Sequence, residues 1–586
     1  MAKLLSQTDD LTSASSDLAP DLPTGGMSAA LLEGRETVST ALIEALRAIG
    51  LRHVFGMIGG AVVPFYDALC RAELEVVHCR HENGAVFAAI EASLAANAPA
   101  LAFTTTGPGL TNALTGAVTA RYEGAKLLLI SAVTPLAKRG RYPIQESSSE
   151  SFGSSGLYAP GGLFDYAVAM HDPQELPRII RTLIRGFESP RGFVAHVALP
   201  LAVQASPAPK LAITVPRVDV APSAATLNSV IDLLRDRFAI WVGYGARRSA
   251  DRIAELVRRT NAPVLSTPRG KGVFPEDDPR FLGVSGLGGH EDLAARVAEA
   301  RVDRLLVLGS RLGELSSSYD LGLIPPGGMI HVDLDPEVPG SAYPEVAAMA
   351  VQAEIGEFLK ALLDRCDELG GPRAVAVAAR PRPPRLEPRE QDRVRPRYLM
   401  QCLQARVVEG SDSVVLSETG NSLAWTNRYL RFATAERYRM SGMFCPMGHV
   451  SAGVLGAAAA TGRRAVAVVG DGALLMQNEI STAAANRSNV VWIVLNDARY
   501  GMCDQGLRCL GYPPANLQFP EVDFLALARS LGADGVRVWR ESQVADALEW
   551  AMRSRGPFVV DVIIDPDELA PVADRIASIY TQAQVA

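Results

Sequence analysis

No stretch of the 586-residue chain approaches the ~20 uninterrupted apolar residues that cross a bilayer, which argues against a membrane-spanning helix. Cysteine is sparse as well. The seven residues (Cys70, Cys79, Cys366, Cys402, Cys445, Cys503, Cys509) show no paired framework and no metal-ligand spacing, a pattern that favours a reducing cytoplasm. There is no excess of positive charge, since 57 Lys and Arg against 64 Asp and Glu leave a formal net charge of −7. That mild acidity argues against nucleic acid as a partner. No internal repeat appears at solenoid periods. Met1 to Ala29 is rich in Ser and Asp and lacks a basic flank or apolar core, so residues 1–30 read as a disordered tail and not a signal peptide. What remains is 48% hydrophobic and 21% charged, a soluble globular profile long enough for about three or four domains.

Short apolar runs alternate with helical spacing along most of the chain. Val54 to Gly56, Glu75 to His78, Ala100 to Thr104 and Lys126 to Ser131 read as strands. Glu36 to Gly50, Ala85 to Ala96 and the stretch after Thr106-Gly107-Pro108-Gly109 read as helices. A second set of strands falls at Phe238 to Val242, Pro263 to Leu265, Arg304 to Leu308 and Met329 to Leu334. The expected fold class is α/β, with three doubly wound parallel-sheet domains at 31–205, 224–366 and 397–586. A Pro-rich linker at 206–223 and a Pro/Arg-rich linker at 367–396 join them. Gly243-x-Gly245 lacks a third glycine at the dinucleotide offset, so it reads as a tight turn before it reads as a nucleotide loop.

The chain is organised around Gly470-Asp471-Gly472. Ala465 to Val469 before it is a buried strand, Leu474 to Arg487 after it has a helical pattern, and Val490 to Leu495 is a second strand. That second strand delivers Asn496 and Asp497, 25 and 26 residues after Asp471, to the same sheet edge. Hard oxygen ligands beside a helix start suit Mg²⁺ holding a diphosphate.

This pattern resembles the signature of thiamine-diphosphate-dependent enzymes. The resemblance implies Mg²⁺ held by Asp471, Asp497 and the main-chain carbonyl of Arg499. Cofactor contacts are expected from Gly470, Gly472, Ala473, Tyr500, Gly501 and Met502. The sequence departs in carrying Asp497 where Asn is usual and in an intervening segment one residue short. Thiamine diphosphate also needs a carboxylic acid that exchanges a proton with ring nitrogen N1′. Glu82, at the end of a strand and the start of a helix, stands where a doubly wound sheet places such an acid.

His81-Glu82-x-x-Ala85 narrows the resemblance to the acetohydroxyacid synthase family, which is similar over most of Glu36 to Leu569. Gly59-Gly60-Ala61 looks like that family's segment beside the cofactor, and Thr106-Gly107-Pro108-Gly109 with Asn112 looks like its Ser/Thr-Gly-Pro-Gly loop. Gln145-Glu146 matches a Phe-Gln-Glu motif, with Ile144 in place of Phe, which puts Gln145 near the reacting carbon. Cys445-Pro446-Met447-Gly448 matches Gly-Thr-Met-Gly. Met447 then props the cofactor in its bent form while the main chain of Cys445 and Met447 bonds the aminopyrimidine. His81 and Gln145 become candidates for hydrogen-bonding the developing alkoxide. His449 is either a substrate-side acid or base or a structural histidine.

The resemblance implies decarboxylation of a 2-oxo acid and transfer of the remaining acyl unit to a second 2-oxo acid or aldehyde. It also implies a homodimer or homotetramer whose active sites are shared between subunits. Gly60, Ala61, Gln145, Gln505 and Gly506 are the expected substrate contacts. Gly506 replaces the Trp that shapes the family's acceptor pocket, so a bulkier acceptor is expected. Gly309-Ser310-Arg311-Leu312-Gly313-Glu314 departs from the flavin-binding pattern, and Gly288-Gly289-His290 matches it in part, which leaves FAD in doubt. A true acetolactate synthase, a simple 2-oxo acid decarboxylase and a non-catalytic homologue are the alternatives. Gly506 argues against the first, the lack of an adjacent His-His pair against the second, and Glu82 against the third.

Overall fold

Short β-rich runs with helical segments between them can bury both faces only as parallel sheets covered by helices. The computed structural model describes residues 36–153, 156–212, 219–369, 377–513, 515–572 and 576, and it shows three such sheets. The first holds β1 (Val54–Gly56), β2 (Val76–His78), β3 (Ala100–Thr104), β4 (Lys126–Ala132), β5 (Tyr166–Ala169) and β6 (Phe193–Leu199) in the order 2-1-3-4-6-5. The second holds β7 (Phe238–Val242), β8 (Val264–Ser266), β9 (Phe281–Val284), β10 (Arg304–Leu308), β11 (Met329–Asp333) and β12 (Ala348–Gln352) in the order 12-11-10-7-8-9. The third holds β13 (Val414–Ser417), β14 (Tyr438–Met440), β15 (Ala465–Gly470), β16 (Val490–Asn496), β17 (Asp534–Val538) and β18 (Phe558–Ile563), ordered 14-13-15-16-18-17. The first and third sheets thus share one winding. The α/β class with three doubly wound domains is as the sequence indicates.

Winding reverses beside β1 and β3 in the first sheet and beside β13 and β15 in the third. Such switch points leave a crevice beyond the carboxyl ends of the strands. Two helices join the sheets that bear them. α1 (Glu82–Ala96) is apolar almost all round, which suits a helix buried on every side. It packs on α2 (His449–Thr461), where a Cβ on Gly456 would lie 1.8 Å from the Ala88 carbonyl oxygen. Only glycine permits that approach.

One expected helix is broken. Leu474 to Arg487 reads as continuous, yet the chain forms a short turn at Asp471–Leu474 and resumes as α3 (Glu479–Ala485). The interruption turns Gln477 against Gly448 and brings the Glu479 carboxylate to the N–H groups of Arg80 and His81, at 3.0 and 3.1 Å. Tertiary contacts outweigh helical spacing here. The disordered tail expected at 1–30 lies outside the described residues. The linker at 206–223 is described in part, and its start pairs with the chain at Thr37. The second linker is exposed over most of its described length, with Arg380, Arg389 and Arg395 paired to Asp292, Asp565 and Glu541.

Candidate active site

At the third sheet's switch point lies a cleft of about 390 Å³. Thr419-Gly420-Asn421 after β13 and Gly470 to Ala473 after β15 form two of its walls. Cys445 and Met447 form a third, and Asp497 with Arg499 to Gln505 a fourth. A Cβ on Gly470 would meet no atom within 4 Å, so bare backbone borders open space there. A Cβ on Gly472 would sit 3.5 Å from the methyl carbon of Met447, which places Met447 against the Gly-Asp-Gly turn in the cleft lining. Cys445 holds φ +48°, a left-handed conformation that costs a non-glycine residue energy and persists at functional sites.

Asp471 is pinned by backbone donors. Its Oδ1 accepts from Gly472 at 2.6 Å, and its Oδ2 accepts from Ala498 at 2.7 Å and Asp497 at 3.2 Å. Burial raises its carboxyl to about 6 despite those donors. Burial and the charge of Asp471 raise Asp497 to about 7. Two desolvated carboxylates that repel each other are the donor set a divalent cation relieves. The Arg499 carbonyl accepts from Gly501 at 3.0 Å and keeps a second lone pair. Among the described residues no group of three or more His, Cys, Asp or Glu could hold a metal. Two carboxylates, a carbonyl, water and phosphate fit Mg²⁺ rather than zinc.

The other predicted residues gather on the first sheet's carboxyl edge. Glu82 is 8% exposed, and its Oε2 accepts from Asn112 Nδ2 at 3.1 Å. His81 caps α1, with Nδ1 accepting from Asn83 N–H at 3.1 Å. Thr106 Oγ1 donates to the Gln145 carbonyl at 2.7 Å, and Gln145 itself is exposed with φ +56°. Gly107 lets these loops meet, since a Cβ there would lie 2.9 Å from Gln145 Cβ. Pro108 and Gly60 are exposed, a Cβ on Gly59 would collide with Thr105, and the Ala61 carbonyl accepts from Gln204 at 2.8 Å. Every residue that lines this cleft lies from Pro396 onward, so Glu82 is not among them.

Three residues stand away from the cleft's free surface, His449 as its structural reading has it. His449 is fully buried at the junction with α1 and does not line the cleft. Gln505 lines it but spends its amide on the main chain of Ala570, donating at 2.8 Å and accepting at 3.0 Å. Gly506, on α4 (Gly501–Cys509), is absent from the lining, and a Cβ there would meet nothing within 4 Å. Sequence reasoning missed Thr419-Gly420-Asn421, although a strand followed by a glycine at a helix start repeats the logic of the Gly-Asp-Gly turn. It also missed the wall formed by Ile564 to Leu569, whose sequence carries no such signal.

A second cleft of about 490 Å³ opens at the switch point of the middle sheet, beside Gly245 and Gly309. Arg247, Arg248, Arg269 and Arg311 line it, and the Tyr244 ring lies 4.0 and 4.3 Å from the guanidinium carbons of Arg247 and Arg269. Arg121, Lys126 and Arg191 also line it, as do the carboxylates Glu123, Asp165, Asp333, Asp335 and Glu354, so its lining carries both signs of charge.

A metal-ready carboxylate pair on one doubly wound sheet, with a sequestered acid at a helix start on a like-wound sheet, defines a diphosphate-cofactor enzyme. The chain belongs to the thiamine pyrophosphate enzyme family. Residues 36–152 match its N-terminal TPP binding domain, 228–362 its central domain and 418–562 its C-terminal TPP binding domain. Curated relatives are similar over nearly their whole length. A probable acetolactate synthase large subunit of Methanocaldococcus jannaschii is 26% identical, covering 91% of this chain and 92% of its own. The acetolactate synthase isozyme 2 large subunit of Escherichia coli is 26% identical, covering 89% and 95%. An acetolactate synthase of Arthrospira platensis is 28% identical, covering 91% and 95%.

Proposed function

We propose that this protein is a thiamine-diphosphate- and Mg²⁺-dependent carboligase. It decarboxylates a 2-oxo acid and joins the acyl unit to a second 2-oxo acid or aldehyde, which makes it a transferase or lyase like the acetolactate synthases it resembles. The observation that carries this reading is that the Asp471–Asp497 pair and Met447 line one cleft bordered by bare glycine backbone. Asp471, Asp497 and the Arg499 carbonyl would hold the cation on the diphosphate. Met447 would prop the bent cofactor, and the main chain of Cys445 and Met447 would bond the aminopyrimidine. When bound, thiamine diphosphate supplies the carbanion that attacks the keto carbon and takes up the electrons released with CO₂. Glu82, with Oε2 held by Asn112, gives and takes the proton at N1′ through its remaining oxygen. His81 keeps Nε2 for the substrate because Nδ1 caps α1, and Gln145 reaches the same edge. Both would donate to the oxygen that becomes the alkoxide.

Glu82 must come from a second copy of the chain, so the active unit is a homodimer or homotetramer. Supporting this, Tyr142 and Ile144 beside Gln145 are 95% and 92% exposed, an apolar surface that a partner would cover. A bulky acceptor is proposed because Gly506 stands where the resembling family carries Trp, and a Cβ there would meet nothing within 4 Å, although Gly506 does not line the cleft. The Arg-lined second cleft would hold FAD if the protein carries it, and no step above depends on it. All seven cysteines are free, which supports a cytoplasmic setting, and among the described residues no helix is long and apolar enough to cross a membrane. The test is CO₂ release and product mass from a panel of paired 2-oxo acids and aldehydes. A coupled product from the wild type, lost in Glu82→Gln while cofactor still binds, is the expected result. CO₂ release without any coupled product would leave a simple decarboxylase instead.

A further inference from the structure

The segment from Ser441 to Gly448 carries Cys445 and Met447 to the cleft, and its base is tied by groups outside the cleft. His449 Nδ1 lies 3.1 Å from Ser441 Oγ, which joins the two ends of the segment. On the far side of the ring, Nε2 is 3.2 Å from Glu91 Oε1 of α1, an ion-pair contact without the angle of a linear hydrogen bond. Glu91 Oε2 accepts from Arg439 Nε at 2.6 Å, just before the segment on β14. Glu123 Oε1 accepts from Gly442 N–H, also at 2.6 Å. Two carboxylates of the first domain therefore grip the base of a loop that belongs to the third. The junction is dry: His449, Glu91, Glu123 and Arg439 are all at most 4% exposed, and the Phe87 ring covers His449 at 5.0 Å.

The charges facing His449 come from each element packed on it: Glu91 on α1, Glu123 beside Gly442, Arg439 on β14 and Glu418 at the end of β13. A cation on the first residue of a helix opposes the helix dipole. Glu418 offsets this by accepting from the N–H groups of Val450 and Ser451 at 3.0 and 2.9 Å. Burial disfavours a charged His449, but the Glu91 carboxylate, with Glu123 and Glu418 farther off, overcomes it and raises the imidazole above its ordinary value. Burial likewise opposes a charged Glu91, yet Arg439 and His449 hold it at about 2.

We propose that the charged His449 ring clamps the 441–448 segment to the first domain, a positioning residue that keeps Met447 at the cofactor and makes cofactor affinity fall on the alkaline side. This rests on the cofactor reading of the cleft. A group whose pKa is raised by folding contributes fully below its ordinary value, and the contribution is lost as pH rises through the raised value. The carboxylates of Asp471 and Asp497 act in the opposite sense, favouring cation binding as pH rises, so an alkaline loss is not theirs.

The experiment is calorimetric titration of thiamine diphosphate, at saturating Mg²⁺, into the full-length protein between pH 6.5 and 9.5. We expect the wild-type Kd to rise on the order of ten-fold across that range, the worth of one pK unit of coupling. His449→Gln, which leaves the Glu91–Arg439 pair intact, should bind more weakly at pH 6.5 and show a flat profile. Glu91→Gln should flatten it as well. A flat wild-type profile, or a His449→Gln protein that keeps the wild-type slope, overturns the clamp. The wild-type profile decides alone if neither variant folds. Absence of binding at every pH would overturn the cofactor reading together with the clamp.

Discussion

At the scale of single residues, Asp471 and Asp497 would set the acid limit of cation binding in the proposed function. Their carboxyls titrate at about 6 and about 7 as a coupled pair, so protons compete with the cation throughout that window. Mg²⁺ affinity should fall steeply as pH drops from 8 to 5.5, read by titrating Mg²⁺ against thiamine diphosphate binding. In metal-free protein the sign is reversed for stability. Both folded-state values are raised, so the pair's contribution is full at low pH and lost as pH rises through about 6 and about 7. Thermal melts with and without Mg²⁺ should diverge most at alkaline pH. These two aspartates and Glu82 were legible in the sequence because each stands at the end of a strand, where local pattern fixes position. Glu91 was not. It sits in an Ala-rich helix that reads as core, and its partner Arg439 lies 348 residues away.

At the scale of elements, the α1–α2 contact is held by backbone proximity. A methyl group at Gly456 would meet the Ala88 carbonyl, so Gly456→Ala should cost about 1–3 kcal/mol or more. A lower urea midpoint with unchanged slope would register it. The wall from Ile564 to Leu569 hangs on a different contact. Gln505→Ala would leave the Ala570 N–H and carbonyl without their partner, a local penalty of roughly 1–3 kcal/mol. Faster hydrogen exchange at 565–572 with a nearly unchanged global melt is the expected signature. Among the described residues ten of the eighteen strands were readable from short apolar runs, to within a residue at each end, whereas β5, β6, β9, β12, β13, β14, β17 and β18 were not read. The break at Leu475–Asn478 was not, because helical spacing continues through it and only the demand for Glu479 at α1 interrupts it.

At the scale of the whole molecule, the proposed function makes activity a property of an assembly, because Glu82 is not among the residues that line the Asp471 cleft. Glu82→Gln and Asp471→Asn should each be inactive alone. Co-expressed, they should recover about a quarter of wild-type activity, since half of randomly paired dimers would hold one intact site of two. No recovery in purified heterodimers would place both groups of each site in one subunit. Three domains and their class could be read from alternation alone, whereas the distance between Glu82 and the cleft could not, since periodicity says nothing of how one sheet is set against another.

The like winding of the first and third sheets bears on how a ligand finds its orientation. In the proposed assembly two like-wound sheet edges would face each other across a subunit boundary, and their winding alone gives no instruction about which end of an elongated guest belongs where. That instruction is chemical. Paired carboxylates on one side demand a metal-bound anion, and a single acid with an amide neighbour on the other asks for a basic ring nitrogen. Polarity in this enzyme is therefore carried by a few side chains laid over a nearly symmetric frame.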